Sequence, residues 1–220
     1  MLRRVPRVVL LATLLAAAAC ATLGAPSFRG YTGLVKIPTV RTLDKGEYNF
    51  GMMTEDTAKL ARNDTFVNYG PIDNMEIGFN NLQQVGAATR QTFNAKYRFL
   101  SETEGKTGVA VGVIDLTDQI KTTVYTVVGR SLVRPADLLD SGVTSIRGHV
   151  GIANGSINGV FMGISAYAGN RVMFSVEWDT KDANIGFRVT PMKGLRVHVA
   201  LFSAGNSNTI GTGMSYTKAY

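Results

Sequence analysis

Cys20 is the only cysteine in the 220 residues. One thiol closes no internal disulfide, and with only two histidines, His149 and His198, it builds no Cys/His zinc pattern. No metal or cofactor is expected. Proline is scarce too, at 6 residues, which argues against a disordered linker protein. Beyond residue 21 no run is apolar enough to cross a bilayer as a helix, so a membrane form of the mature chain has to be a closed barrel. The formal charge of +7 includes Arg3, Arg4 and Arg7 of a removable leader, and drops to +4 without them. So mild an excess does not point to nucleic acid, whose binders gather basic residues on one face. No nucleophile motif surrounds Ser145, Ser165, Ser175 or Ser215, so catalysis is not expected. Gly151-Ile152-Ala153-Asn154-Gly155 lacks the Lys-Ser/Thr of a phosphate loop and reads as a turn.

What is present begins with an export signal. The three arginines form a positive n-region, and Val8 to Ala19 is an apolar stretch of signal-peptide length. Ala19-Cys20-Ala21 fits a cleavage site, which assigns residues 1–21 to the signal peptide. A second reading takes Cys20 as a lipidated residue after cleavage at Ala19, although Ala17 stands where a lipobox usually has leucine. The 24 glycines suit a strand-rich protein.

Residues 22–46 are a constrained segment, broken by glycine and proline. From 47 to 220 the chain alternates apolar with polar or small residues in runs separated by turns. Met75, Ile77 and Phe79 oppose Glu76, Gly78 and Asn80. Val172, Phe174, Val176 and Trp178 oppose Arg171, Ser175 and Glu177. Leu195, Val197, Val199 and Leu201 oppose Arg196 and His198. The runs predict an all-β, up-and-down antiparallel fold of about twelve strands, with connections alternately longer and shorter. Pro135–Asp140 reads as one helical turn in a longer connection.

A soluble sandwich shares this alternation, with the apolar face inward. An outer-membrane barrel inverts it. Three features favour a transmembrane β-barrel. The polar face is rich in Gly, Ser, Thr and Asn. Aromatics such as Tyr48, Phe66, Tyr69, Phe99, Tyr167, Trp178, Phe202 and Tyr216 fall near strand ends, as interface girdles require. The last strand closes on the aromatic Tyr220, which resembles the signal read by the barrel assembly machinery. Outer-membrane lipid is then the surrounding partner.

Gly30-Tyr31-Thr32-Gly33-Leu34-Val35-Lys36-Ile37-Pro38-Thr39, with Leu43-Asp44-Lys45-Gly46-Glu47-Tyr48-Asn49-Phe50-Gly51, resembles the start of YjbH-like outer-membrane proteins. Tyr69-Gly70-Pro71-Ile72-Asp73-Asn74-Met75-Glu76-Ile77-Gly78 resembles a strand–turn–strand that recurs in that group. The resemblance covers mainly residues 28–80. It implies a barrel linked to exopolysaccharide production or export, with polysaccharide export components as partners.

The candidate functional residues form a basic strip on the polar face: Lys96, Arg98, Arg130, Arg147, His149, Arg171, Arg188, Arg196 and His198. Lining a lumen, they would favour anionic solutes. Alternatively these charges pair with Glu47, Glu76 and Glu177 and only pack the interior. Gly30–Thr39 reads equally as a plug in the barrel mouth, a docking segment, or an edge-sealing strand. Three functions stay open: an outer-membrane barrel serving polysaccharide export or acting as a narrow pore, a structural or lipid-anchored envelope protein, and a soluble periplasmic sandwich that binds a ligand.

Overall fold

The alternating runs form twelve strands in the computed structural model, which describes residues 24–56, 61–103, 105–133, 142–169, 171–204 and 207–218. They are β1 (Tyr48–Asp56), β2 (Ala61–Tyr69), β3 (Met75–Gln84), β4 (Arg90–Leu100), β5 (Gly108–Ile114), β6 (Thr123–Ser131), β7 (Ser145–Asn154), β8 (Gly159–Ala168), β9 (Val172–Trp178), β10 (Ala183–Met192), β11 (Leu195–Ala204) and β12 (Ser207–Lys218). Each pairs antiparallel with its sequence neighbours. β12 returns to β1 in an unbroken register from Tyr48↔Lys218 to Asp56↔Ile210, so the sheet closes into a barrel. Closure leaves no strand edge with unpaired backbone groups. It also excludes the two-sheet sandwich. β1 begins and β12 ends at one rim, called here the proximal rim. The distal rim carries the connections after β1, β3, β5, β7, β9 and β11.

The apolar side of the alternation points outward. Phe50, Met52, Ile77, Phe93, Val124, Ile152, Ile164, Phe174, Ile185, Leu201 and Met214 are all exposed, Ile152 by 61%. Together they ring the barrel. A monomer surrounded by water rarely exposes a contiguous apolar patch above a few hundred Å², so this surface calls for an apolar surrounding phase.

The inside is filled by residues 24–47. Ile37, Val40 and Leu43 have no exposed surface, and Phe28, Tyr31, Leu34 and Val35 have almost none. The segment folds back on itself through the bridges Pro26↔Thr32 and Gly33↔Pro38. Hydrogen bonds from Phe28 N–H to the Val35 carbonyl (2.8 Å) and from Leu34 N–H to the Ile37 carbonyl (3.0 Å) fix the folds. Its apolar side chains build the core against the barrel wall. Leu34, Ile37 and Val40 pack with Ala110, Tyr125, Val127 and Phe161, while Phe28 and Val35 pack with Met53, Phe66 and Phe202. Each such side chain contributes about 1.5–3 kcal/mol when fully buried.

Two inward glycines make the fit possible. A β-carbon at Gly163 would stand 2.7 Å from Leu34 Cδ1, and one at Gly186 would stand 2.6 Å from Val35 Cγ2. The wall is bare where the segment comes closest.

Several expectations change. Connection length does not alternate: the longest runs from β6 to β7 at the proximal rim, and both rims otherwise carry short turns. Phe66, Tyr167 and Phe202 belong to no outer girdle; all three point inward, Phe66 and Phe202 buried and Tyr167 lining the lumen. Gly151–Asn154 is the end of β7, with the turn beginning at Gly155. Cys20, Pro135–Asp140 and Tyr220 lie outside the described residues.

Candidate functional site

The inward polar side chains grip the backbone of the internal segment. Glu177 on β9 accepts the N–H groups of Val35 (2.8 Å), Lys36 (2.7 Å) and Ile37 (3.3 Å), and its remaining contact is the Asn184 amide at 3.1 Å. Glu76 on β3 accepts the N–H groups of Thr32 (2.9 Å) and Leu43 (3.1 Å) and the Thr32 hydroxyl. Both carboxylates are buried.

Cations answer them on the carbonyl side. Lys96, the cross-strand neighbour of Glu76, donates to the Arg41 carbonyl (3.0 Å) and to that of Thr32. Arg188 on β10 donates to the carbonyls of Pro26 (3.0 Å), Gly33 (3.2 Å) and Leu34 (3.3 Å). Asn68 and Asn80 donate to the carbonyls of Gly30 and Arg29. A segment with little regular structure thus has its backbone groups satisfied by wall side chains from β2, β3, β4, β9 and β10. Burial would otherwise leave those groups unpaired at about 1–3 kcal/mol each.

The segment divides the lumen into two vestibules with no lining residue in common. The distal one, about 330 Å³, carries charges of both signs, and the partly buried cations Lys36, Arg29 and Arg62 are paired. Lys36 Nζ lies 3.0 Å from Asp179, Arg29 lies 2.6 Å from Glu55, and Arg62 lies 2.9 Å from Asp64. Burial pushes the Asp179 carboxyl up, but the Asp182 N–H and the Lys36 ammonium outweigh it and hold the group below the usual carboxylate range. In the neighbouring Asp115 loop, the N–H groups of Gln119, Ile120 and Lys121 likewise overcome burial and depress the carboxyl.

The proximal vestibule, about 280 Å³, is different. Arg41, Arg171, Arg188, Lys193, Arg196 and His149 all line it, and no acid does among the described residues. Glu102 and the buried Glu47 act electrostatically on Arg41 and Arg196 without lining the cavity.

The predicted basic strip is divided: His149, Arg171, Arg188 and Arg196 line the proximal vestibule, and the other members lie elsewhere. Lys96 and Arg188 hold the internal segment. Arg196 donates to the Thr217 hydroxyl, and His198 bridges Arg188 Nε (3.2 Å) and Ser215 Oγ (2.8 Å). Arg98 sits at the proximal rim on the Asn74 side-chain oxygen. Arg147 faces Glu102 at 3.7 Å, an ion pair without a hydrogen bond. Arg171 is exposed at the proximal rim. Arg130 is a correction: it shares the parity of Val124 and Val128, is exposed, and points away from the lumen. The acids are a second correction. Glu76 and Glu177 bind backbone N–H groups of the internal segment rather than neutralising the strip at large.

Sequence reasoning missed Arg41 and Lys193, which lie on the segment and on the β10–β11 turn rather than on a strand. It also missed Asn68 and Asn80 as backbone donors. Their signal was only that each is an amide on the polar face.

No family model matches the chain, and no curated protein matches it. Among solved structures it is similar to the N-terminal β-barrel domain of Pseudomonas aeruginosa OprF, at 10% identity over 79% of this chain and 98% of that one, with a TM-score of 0.27. A likeness of that size carries no argument, and the barrel rests on its own strand pairing.

Proposed function

We propose that the protein is an outer-membrane β-barrel closed by its own N-terminal segment, serving the envelope in a shut form rather than as a standing pore. The outward apolar ring supports the membrane setting, because strands of mostly nine to twelve residues match the roughly nine to eleven that a tilted crossing needs. The observation that carries the closed reading is the burial of Leu34, Val35, Ile37 and Val40 at the centre of the lumen, between two separate vestibules.

Membrane fractionation with heat-modifiable gel migration tests the setting. A chain that stays soluble without detergent would remove it. In planar bilayers the intact protein should be silent, and steady conductance would contradict the shut form. The part in exopolysaccharide production or export rests on the resemblance of residues 28–80. A deletion strain with unchanged extracellular polysaccharide would remove that part and leave the closed barrel standing.

A further inference from the structure

We propose that the proximal vestibule is a binding site for a small anionic molecule bearing a carboxylate or phosphate group. The inference goes beyond the closed-barrel reading and does not depend on the membrane setting.

Its first support is charge. Arg188 and Arg196 are buried, at 6% and 7% exposure, and neither has an acidic ion-pair partner within 4 Å among the described residues. Arg171 and Lys193 add two more cations at the same mouth, again without an ion pair there. Buried guanidinium groups are normally paired, since removing a charge from water is costly. The partly buried distal cations Lys36, Arg29 and Arg62 follow that rule, each matched to an acid, and only the exposed Lys121 and Lys181 there have no ion pair among the described residues. The proximal vestibule breaks it.

The second support is His149. It is 2% exposed and lines the cavity, and its Nδ1 has no hydrogen-bond partner among the described residues. Nδ1 itself lies against Gly129 and is closed to solvent, so a polar ligand would complete it through a turn of the ring at the cavity wall.

Shape and lining narrow the ligand. About 280 Å³ is at the small end of ligand sites. Arginine forks suit planar carboxylate and tetrahedral phosphate oxygens. Leu34, Tyr167, Val172 and Met173 supply apolar lining beside the cations, which suits the carbon face of a sugar acid or a comparable phosphorylated compound.

The test uses the full chain in detergent micelles at low ionic strength. Isothermal titration with glucuronate, inorganic phosphate and neutral glucose reads the chemistry. Saturable binding of glucuronate, phosphate or both, without binding of glucose, is expected; which anion binds tells a sugar acid from a phosphate ligand. Arg171→Glu changes an exposed residue and should weaken binding at least tenfold while heat-modifiable migration stays unchanged. Lys181→Glu reverses a charge at the distal vestibule and should leave binding intact. No saturable anion binding, equal binding of glucose, or an equal loss in both variants would overturn the proposal.

Discussion

The two vestibules lie at opposite ends of one lumen, are similar in size, and share the same internal segment as floor. They differ in how charge is balanced. At the distal end Lys36, Arg29 and Arg62 each meet a carboxylate. At the proximal end Arg41, Arg171, Arg188, Lys193 and Arg196 surround a cavity whose described wall holds no acid. A charge pair that only fixes structure can be completed within the chain. Arg171 and Lys193 at the proximal mouth meet no acid among the described residues, and such cations are complete only when something else arrives. The comparison separates lumen charges completed within the chain, Arg188 on the carbonyls of the internal segment among them, from the exposed Arg171 and Lys193 at the proximal mouth.

The largest effect should come from abolishing the comparison. Deleting residues 24–46 joins the vestibules, and the barrel should pass from silent to steadily conducting in planar bilayers. A deleted barrel that still shows heat-modifiable migration yet stays silent would mean that wall side chains alone close the lumen.

Next comes the grip on the segment. Glu177→Ala leaves the N–H groups of Val35, Lys36 and Ile37 without their acceptor. With about 1–3 kcal/mol for each buried unsatisfied group, unfolding in denaturant should shift clearly, and those three amides should exchange faster. Unchanged exchange would show that packing of Leu34 and Ile37 suffices to hold the segment.

A smaller effect belongs to the distal end alone. Lys36→Ala removes a partly exposed ion pair with Asp179 and the ammonium's position 5.2 Å over the Phe202 ring. Pairs of that kind contribute about 0.2–1 kcal/mol, visible as a slight drop in the unfolding midpoint with anion binding at the proximal end unchanged.

The smallest is a pH response. Asp179 has a carboxyl held below its unfolded value, so its stabilisation is present above the ordinary carboxylate range, about pH 3.9, and is lost as pH falls through the lower folded value. Amide exchange around 179–182 should speed up below about pH 4, where the proximal vestibule has no lining carboxylate to protonate. Equal acceleration at both rims would mean general loosening rather than the loss of this pair.

The strands were legible in the sequence because a period of two survives any tertiary arrangement; the runs around Phe93, Val172 and Leu195 needed nothing but parity. The closed barrel was legible from the apolar face read as outward, while the pairing of β1 with β12 that closes it spans the whole chain and has no local signal. Girdle aromatics were misjudged where position along a strand was weighed above parity. Phe66 alternates with the exposed Val67 and so faces inward, however near a strand end it lies. Arg130 fails for the same reason in reverse. Glycine and proline marked residues 22–46 as constrained, but their place depends on contacts such as Glu177 with Val35, 142 residues apart. No local pattern encodes such a contact. The proximal cations were half visible: Arg188 and Arg196 stood out, while Arg41 and Lys193 become part of the same cavity only once the segment is folded into the barrel.

The central claim is that residues 24–47 lie inside the barrel, and a tether tests it most directly. With Cys20→Ser as background, the pair Val35→Cys and Gly186→Cys places two thiols where a β-carbon at 186 already comes within 2.6 Å of the Val35 side chain, inside the reach of a disulfide. Mild oxidation of the folded protein should yield an intramolecular link, seen as a shift in gel migration that reductant reverses. A correctly folded barrel in which the two cysteines stay free would contradict the account.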